Sequence, residues 1–317
     1  MEKGFYTNPA SLSNDKFNLV LPSLEMGVGS FTEIATIPFS SLGEGDFDAI
    51  NEVLSKLTGT IPVLDMKASS SLALFGFGAS INASLGLYTS GEGISVGLIP
   101  FMNIAASLGY GHSFGLKEGI RVEVGAMTHF SSFFYSSPLG IEEVVDTIVS
   151  ESPEKLRLKL TDTAFSLDLG TTLRFDNGFS LALTMVDIGE GTDSVDIVTG
   201  EVERLKSDFS INFGSGWERV FWGWLGVKAS LDFSDIVGFT KDVSFPNLLY
   251  HTNMGLKVNL TKGIGLMGGL KGGYPTLGAD LMRRFIDLFV LYTMDEYSDY
   301  VGYNPRDSLS VQLRMVF

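Results

Sequence analysis

The sequence predicts an all-β protein: a transmembrane antiparallel β-barrel of about 14 strands, with an N-terminal hatch segment and short helices in an outer loop. Three observations predict this fold. Apolar and polar residues alternate through most of the chain, tight turns follow long loops in a regular order, and the last strand keeps its alternation up to an aromatic final residue. A composition of 37 Gly and 24 Phe in 317 residues also favours many short strands over helices.

Composition excludes several classes of protein. No stretch approaches the roughly 20 continuous apolar residues that a membrane helix needs, although the mean hydropathy is +0.22. A net charge of −15 argues against nucleic acid, because nucleic-acid binding depends on Lys and Arg that neutralise phosphates. The absence of Cys excludes a disulfide framework, a thiolate metal site and a Cys nucleophile.

The N-terminal region, residues 1–64, is predicted to be a hatch or plug segment, and residues 65–317 the barrel. The opening MEKGFYTNPA lacks the apolar core of a signal peptide, so the chain is either cytosolic or a mature form with an added start Met. The barrel pattern favours the second, with the bacterial outer membrane as the location. FDAINEVLSKL (47–57) predicts a helix with one apolar face, buried inside the barrel or against its periplasmic mouth.

The strands follow one another from about residue 65. The clearest alternations are 81–88, 104–111, 120–127, 165–175, 179–185, 225–233, 254–260 and 286–294. In these strands the apolar set would face lipid and the polar set would face the lumen, where it could line a path or form ion pairs; its charged members are Arg121, Glu123, Asp168, Arg174, Lys228 and Asp232. A soluble β-sandwich, with its polar face in water, would give the same alternation.

The connections favour the barrel over the sandwich. Tight turns are predicted at 117–119, 176–178, 215–218, 261–263 and Arg283-Arg284, and long loops at 131–161, 189–205, 235–247 and 295–306. Counted back from the C-terminus, the turns all fall at one end and the loops at the other, which is typical of outer-membrane barrels. The longest loop contains a second helical pattern, 141–158. Aromatic clusters at 129–135 and 217–224 indicate interfacial girdles at strand ends.

The last ten residues, SLSVQLRMVF, predict the strand that closes the barrel. Leu313, Met315 and Phe317 lie on its apolar side up to the end of the chain. A closed barrel needs its last strand to pair with its first, because lipid offers no hydrogen bonds to an open edge. The same terminal aromatic resembles the signal that the barrel-assembly machinery of outer membranes recognises.

A family resemblance rests on the N-terminal YTNPASLS (6–13) together with this architecture. Asn8, Pro9 and Ala10 resemble the start of mature FadL-type transporters of hydrophobic compounds, and the stretch from 270 to the C-terminus resembles their poorly characterised relatives. The resemblance implies a fourteen-stranded barrel with a hatch inside it, helical outer loops, and uptake of small hydrophobic molecules such as long-chain fatty acids. This chain is shorter than typical transporters, and no ligand-contacting residue is carried over.

The expected partners are outer-membrane lipid, a hydrophobic small-molecule ligand and the assembly machinery, with no nucleic acid, no cofactor, no metal and a monomeric state. Two alternatives stay open: a scaffold that binds other secreted proteins through its outer loops, and a surface adhesin. No enzyme is expected, because His112 and Ser113 are strand neighbours that face opposite sides. DIGEGTDS (187–194) lacks the ligand pattern of a calcium loop and is interpreted as a solvated turn.

Overall fold

The wall of the molecule is a single closed sheet. The computed structural model describes residues 8–14, 17–30, 32, 62–90, 97–135, 159–189, 193–195, 202–204, 209–240, 243–261, 263–296 and 305–317. Within these ranges fourteen antiparallel strands follow one another around the barrel, and the last pairs with the first. The predicted fold class and strand number are confirmed.

The strands differ in length, and the longest lie in the first half of the wall. The bounds in that half are β1 Phe17–Gly29, β2 Pro62–Leu74, β3 Phe77–Ser90, β4 Gly97–Lys117, β5 Ile120–Tyr135, β6 Lys159–Phe175 and β7 Phe179–Gly189. Outside the wall, β8 Asp193–Val195 and β9 Val202–Arg204 form a two-stranded sheet. The second half of the wall comprises β10 Ser210–Phe221, β11 Leu225–Phe233, β12 Thr252–Thr261, β13 Ile264–Lys271, β14 Tyr274–Arg283, β15 Ile286–Glu296 and β16 Pro305–Val316.

Tight turns lie at one end of the barrel and long loops at the other, as the sequence predicts. The turn end carries Phe75–Gly76, the confirmed turns at 118–119 and 176–178, and the predicted short connection between β12, which ends at Thr261, and β13, which begins at Ile264. The turn predicted at Arg283-Arg284 lies at Arg284–Phe285. The loop end carries the long connections. Gly272–Gly273 is an exception there, because its two positive φ angles of 56° and 86° form a two-residue hairpin turn.

One predicted turn is wrong. The stretch 215–218 lies inside β10, and the chain reverses instead at Trp222–Trp224, where Trp222 and Gly223 have φ angles of 50° and 74°. The Ser-Gly pair that indicated a turn belongs to a strand whose glycines are needed for packing. A Cβ at Gly214 would meet the carboxylate of Asp232 at 2.5 Å.

The predicted boundary at residue 64 does not follow the architecture, because the barrel begins inside the stretch assigned to the hatch. β1 pairs with β16 on one side and with β2 on the other. Both pairings shift register between Val20 and Ser23, around Pro22, which has no N–H to donate to a sheet. This bulge interrupts the alternation that would otherwise mark β1 in the sequence.

Helices are short in the part of the chain that the structure describes. A 3-10 helix spans Pro9–Asn14, α1 spans Ile236–Phe239 and α2 spans Phe245–Tyr250, the last two in the connection from β11 to β12. In these ranges no helix is both long and apolar enough to cross a membrane. The helices predicted at 47–57 and 141–158 lie outside the described residues.

Candidate functional site

The polar set of each strand faces the lumen, and the apolar set covers the exterior. On β6, Phe165 and Leu169 are 56% and 39% exposed, whereas the alternating Asp168 is buried and shares its face with Gly170 and Thr172. Exposed Leu, Phe and Val side chains occur all around the barrel on the outward positions. An exposed apolar surface of this extent requires lipid or another apolar partner.

The 3-10 helix Pro9–Asn14 packs inside the barrel against β4, β5 and β6. It sits on four inward-facing positions that carry no side chain: Gly109, Gly111, Gly125 and Gly170. A Cβ at Gly125 would overlap the carbonyl of Pro9, and one at Gly170 would overlap the Asn8 side chain. We call this contact surface the glycine seat. The three strands therefore approach the helix backbone directly, which only glycine permits.

Asn8 fixes the start of the helix to the wall. Its amide Nδ2 donates to Thr172 Oγ1 at 3.0 Å, and its Oδ1 accepts from the backbone N–H of Ala10 at 2.9 Å. The second bond is an Asx turn, which caps the helix locally. The motif Asn8-Pro9-Ala10 thus begins the lumenal segment, and Pro9 and Ala10 are both fully buried.

Apolar side chains fill the space between this helix and the wall. Leu12 and Met127 are almost completely buried, and Leu12 Cδ1 would lie 2.9 Å from a Cβ at Gly109. Nearer the loop end, three further aromatic rings lie on the inward face. Phe101 is 5.8 Å from Tyr88 and 6.1 Å from Phe133, measured between ring centroids. The lumen beside β3–β6 therefore carries apolar surface as well as polar groups.

The charged residues predicted for the lumen lie on inward positions, and most of them contact one another or a neighbour. Arg174 Nε donates to both oxygens of the fully buried Glu123 at 2.8 and 2.9 Å. Arg121 lies directly opposite Arg174 in the β5–β6 register. Lys228 forms a more exposed ion pair with Glu218 at 2.9 Å. Asp232 lies beside the backbone of Gly214.

A chain of three side chains joins β4, β5 and β6 on the loop-end side of the glycine seat. Ser107 Oγ lies 2.8 Å from His129 Nδ1, and His129 Nε2 lies 2.8 Å from Asp168 Oδ2. The second carboxylate oxygen of Asp168 accepts from the backbone N–H of Asp187 at 2.9 Å. We call Ser107, His129 and Asp168 the lumenal triad.

The sequence pattern predicts only one member of this triad. Asp168 is expected to face the lumen, whereas His129 falls in an aromatic cluster and Ser107 carries no distinguishing signal. The adjacent pair of His112 and Ser113 is indeed divided: His112 faces outward, where its ring lies 4.5 Å from that of Phe114, and Ser113 faces inward. The three residues meet because of the pairing register of β4, β5 and β6. The sequence pattern could predict the triad only if that register were already known.

The closing strand is held along its length. Phe317 exchanges two backbone hydrogen bonds with Leu19, of 3.1 and 2.8 Å, so the last residue pairs with the first strand. Its ring stacks on Phe285 at 5.7 Å between centroids. Leu313 and Met315 are exposed on the exterior. These contacts give the terminal residues a structural role in closure, whereas their role as an assembly signal stays a prediction.

Comparison with known proteins finds similar folds among solved structures. No protein-family description matches the chain, and no curated protein matches it. Two variants of the monoaromatic hydrocarbon channel TodX, deltaS2S3 and deltaS2, are similar to it with TM-scores of 0.51 and 0.50 and identities of 12% and 9%. The alignments cover 100% and 99% of this chain and 94% and 93% of the channels.

A third similar structure is the toluene transporter TodX of P. putida, with a TM-score of 0.46, 10% identity, and coverage of 99% of this chain and 92% of the transporter. TodX is a FadL-type outer-membrane transporter of hydrophobic compounds, so the predicted resemblance is confirmed at the level of the fold.

Proposed function

We propose that this protein is an outer-membrane channel for the uptake of small hydrophobic molecules, and that residues 8–14 are its internal gate. The observation that carries the proposal is the glycine seat, where a short N-terminal segment lies inside the barrel on positions kept free of side chains. The segment is not one of the paired strands of the sheet, and its side-chain hydrogen bonds to the wall include the one from Asn8 to Thr172. Such a segment can leave its seat without breaking the wall.

The lumen surface supports hydrophobic cargo. Tyr88, Phe101 and Phe133 lie toward the loop end, and Leu12 and Met127 lie deeper, so apolar surface recurs along one side of the barrel. Two of the inward charges on the same side, Glu123 and Arg174, pair with each other, which reduces the polar surface that the buried carboxylate presents to the lumen. The apolar exterior supports the outer membrane as the location, and long-chain fatty acids are the first cargo to test.

The gate is tested by Gly125→Val, with Gly115→Val as the matched control. A side chain at Gly125 would occupy the position of Pro9, whereas a Cβ at Gly115, on the neighbouring strand, would meet no other atom within 4 Å. In planar bilayers we expect Gly125→Val to give long-lived ion-conducting openings, and wild type and Gly115→Val to stay closed. Equal conductance in all three proteins would contradict the gate.

A deletion gives an independent test of the gate, and its endpoint matters. Removal of residues 1–64 would delete β1 and open the sheet, so the useful deletion ends at Asn14.

Cargo is tested separately, as uptake of radiolabelled oleate or toluene by bacteria that lack their own transporter for it. We expect Gly115→Val to support uptake and the empty cells to fail. Conductance without uptake of either compound would identify a general porin.

A second candidate function, binding of a protein partner through the loop end, is favoured by one observation. Val243 and Phe245, next to the start of α2, are 75% and 71% exposed and form a pair of exposed apolar side chains at the loop end. Replacement of both by Ser tests it. Loss of a co-purifying protein with unchanged uptake would favour the scaffold, and reduced uptake would assign these residues to the capture of hydrophobic cargo.

A further inference from the structure

We propose that the lumenal triad is a nucleophilic site that cleaves carboxylic esters with an apolar acyl group. The inference rests on the proposed function in one respect, since it needs a lumen that admits hydrophobic molecules. It goes beyond transport, because it assigns a covalent reaction to Ser107, His129 and Asp168. The geometry that carries it is a nucleophile within hydrogen-bond reach of a base, and a base held by a carboxylate.

The hydrogen bonds define the role of each group. Asp168 accepts a hydrogen bond from His129 Nε2–H, which leaves His129 Nδ1 unprotonated and able to accept the hydroxyl proton of Ser107. Asp168 is itself fixed by the backbone N–H of Asp187, whose φ of 57° turns that N–H toward the carboxylate. Since the three side chains stand on adjacent paired strands, the wall holds them in position.

A hydrogen-bond donor for the developing oxyanion lies beside the nucleophile. Ser80 on β3 stands directly opposite Ser107 in the strand register. It is 4% exposed, and its hydroxyl has no hydrogen-bond partner among the described residues. Opposed residues of an antiparallel pair have Cβ atoms about 5 Å apart, so the two hydroxyls can reach the same carbonyl group.

Access and surroundings indicate the class of substrate. The side chain of His129 is 20% exposed to the lumen, whereas Ser107 and Ser80 are 2% and 4% exposed, so an ester reaches Ser107 only when the packing over the two serines opens. Apolar residues flank the triad along the wall: Met127 on β5 and Ala164 on β6 are buried, and Phe133 lies nearer the loop end on the inward face of β5. An ester with a small apolar acyl chain matches these neighbours, and a charged acyl group does not.

The reaction balances with water as the only co-reactant. Ser107 Oγ attacks the ester carbonyl carbon while its proton passes to His129 Nδ1. The carbon–oxygen bond to the alcohol then breaks, and His129 returns the proton to the departing alkoxide. Water next attacks the acyl-Ser107 ester and gives one proton to His129, the bond to Ser107 Oγ breaks, and that proton returns to Ser107. The products are the alcohol and the carboxylic acid.

The test uses the full chain in detergent micelles with a fluorophosphonate probe and with p-nitrophenyl butyrate. We expect a covalent adduct on Ser107 by mass spectrometry, and a loss of labelling and hydrolysis of about 100-fold or more in Ser107→Ala and His129→Gln. Ser113→Ala is the matched control, because Ser113 faces the lumen from the same strand but lies opposite Glu123. It should label like wild type.

Two outcomes would overturn the inference. One is the absence of an adduct on Ser107 in folded protein, and the other is labelling of Ser107 that does not change in His129→Gln. If Ser107→Ala only lowers the unfolding temperature and no variant affects labelling, the triad is a structural bond between strands. Uptake of oleate or toluene by the same variants keeps the two proposals separate. If only the hydrolase assignment is wrong, labelling fails while Ser107→Ala still takes up these compounds like wild type.

Discussion

Arg314 and Asp287 form an ion pair that is buried on the inward face of β15 and β16. Arg314 Nη2 lies 2.8 Å from Asp287 Oδ2, and the guanidinium carbon lies 4.7 Å from the ring centroid of Phe289. The two side chains are 14% and 8% exposed. Removal of one partner would leave the other charge buried and uncompensated, which is the costly case for a buried pair.

We predict that Arg314→Met lowers the free energy of unfolding by roughly 3 kcal/mol. The matched control is Lys228→Met, because the Lys228–Glu218 pair also faces the lumen but is 31% and 56% exposed. Solvent screens that pair, so its loss should cost about 1 kcal/mol or less. Urea titration of the refolded barrels in detergent, followed by tryptophan fluorescence, measures both values. Similar losses in the two variants would show that burial does not distinguish the pairs.

Histidines show how the same residue type takes different roles according to its face. His112 packs against aromatic rings on the exterior, His129 belongs to the lumenal triad, and His251 Nδ1 lies 2.9 Å from the carbonyl of Ser234 beside α2. Residue identity alone does not separate these roles. The face follows from strand parity, which the sequence shows, but the partners follow from register, which it does not.

At the scale of elements, the hairpin from β10 to β11 collects all three tryptophans of the chain, Trp217, Trp222 and Trp224. The rings of Trp222 and Trp224 lie 6.3 Å apart, and their residues are 78% and 53% exposed. Exposed indoles at the tip of a wall hairpin match an interfacial position, where the ring is solvated by apolar chains and its N–H reaches the headgroups.

We predict that tryptophan fluorescence reports the membrane interface at the turn end. In vesicles of brominated lipids, bromine near the carbonyl groups should quench the emission more strongly than bromine near the chain ends. A Trp222→Phe variant is the control for the contribution of the outermost ring. Strongest quenching by the deepest bromines would place this hairpin in the bilayer core and contradict the girdle.

The N-terminal region combines two kinds of element that the sequence pattern does not separate. A short 3-10 helix lies in the lumen, and β1, which begins only three residues later, forms part of the wall. The alternation of Leu24, Met26 and Val28 is visible in the sequence, but Pro22 and the bulge around it obscure the start of the strand. An alternating pattern interrupted by proline can therefore still be a barrel strand.

At the scale of the whole molecule, the strand pairing that closes the barrel continues to Phe317, the last residue. The backbone of Phe317 pairs with Leu19, and its ring stacks on Phe285. Replacement of the ring keeps the backbone pairing and removes only the stacking. The effect on a finished barrel should therefore be small, whereas an effect on recognition by the assembly machinery should be large.

We predict that Phe317→Ser separates these two roles. Refolding into detergent micelles should proceed with a yield close to that of wild type, since no assembly factor is involved. In cells, the amount of folded barrel in the outer membrane should fall several-fold, measured by heat-modifiable migration on gels. Phe285→Ser is the control that removes the same ring contact from an internal turn. Equal losses in both variants would assign the effect to stacking rather than to a terminal signal.

Local sequence patterns were sufficient to predict the barrel. Alternation, the order of turns and loops, and the pattern of the closing strand are local features. They are what a bilayer requires of a barrel that crosses it, because every second wall residue must suit lipid while every backbone group must be paired. Which residues meet was settled by the tertiary structure alone. The glycine seat joins residues 8–14 to strands about 100 to 160 positions later, and the lumenal triad spans three strands from Ser107 to Asp168. Such contacts depend on register, and register is set by the hydrogen bonds of the entire closed sheet rather than by any single strand.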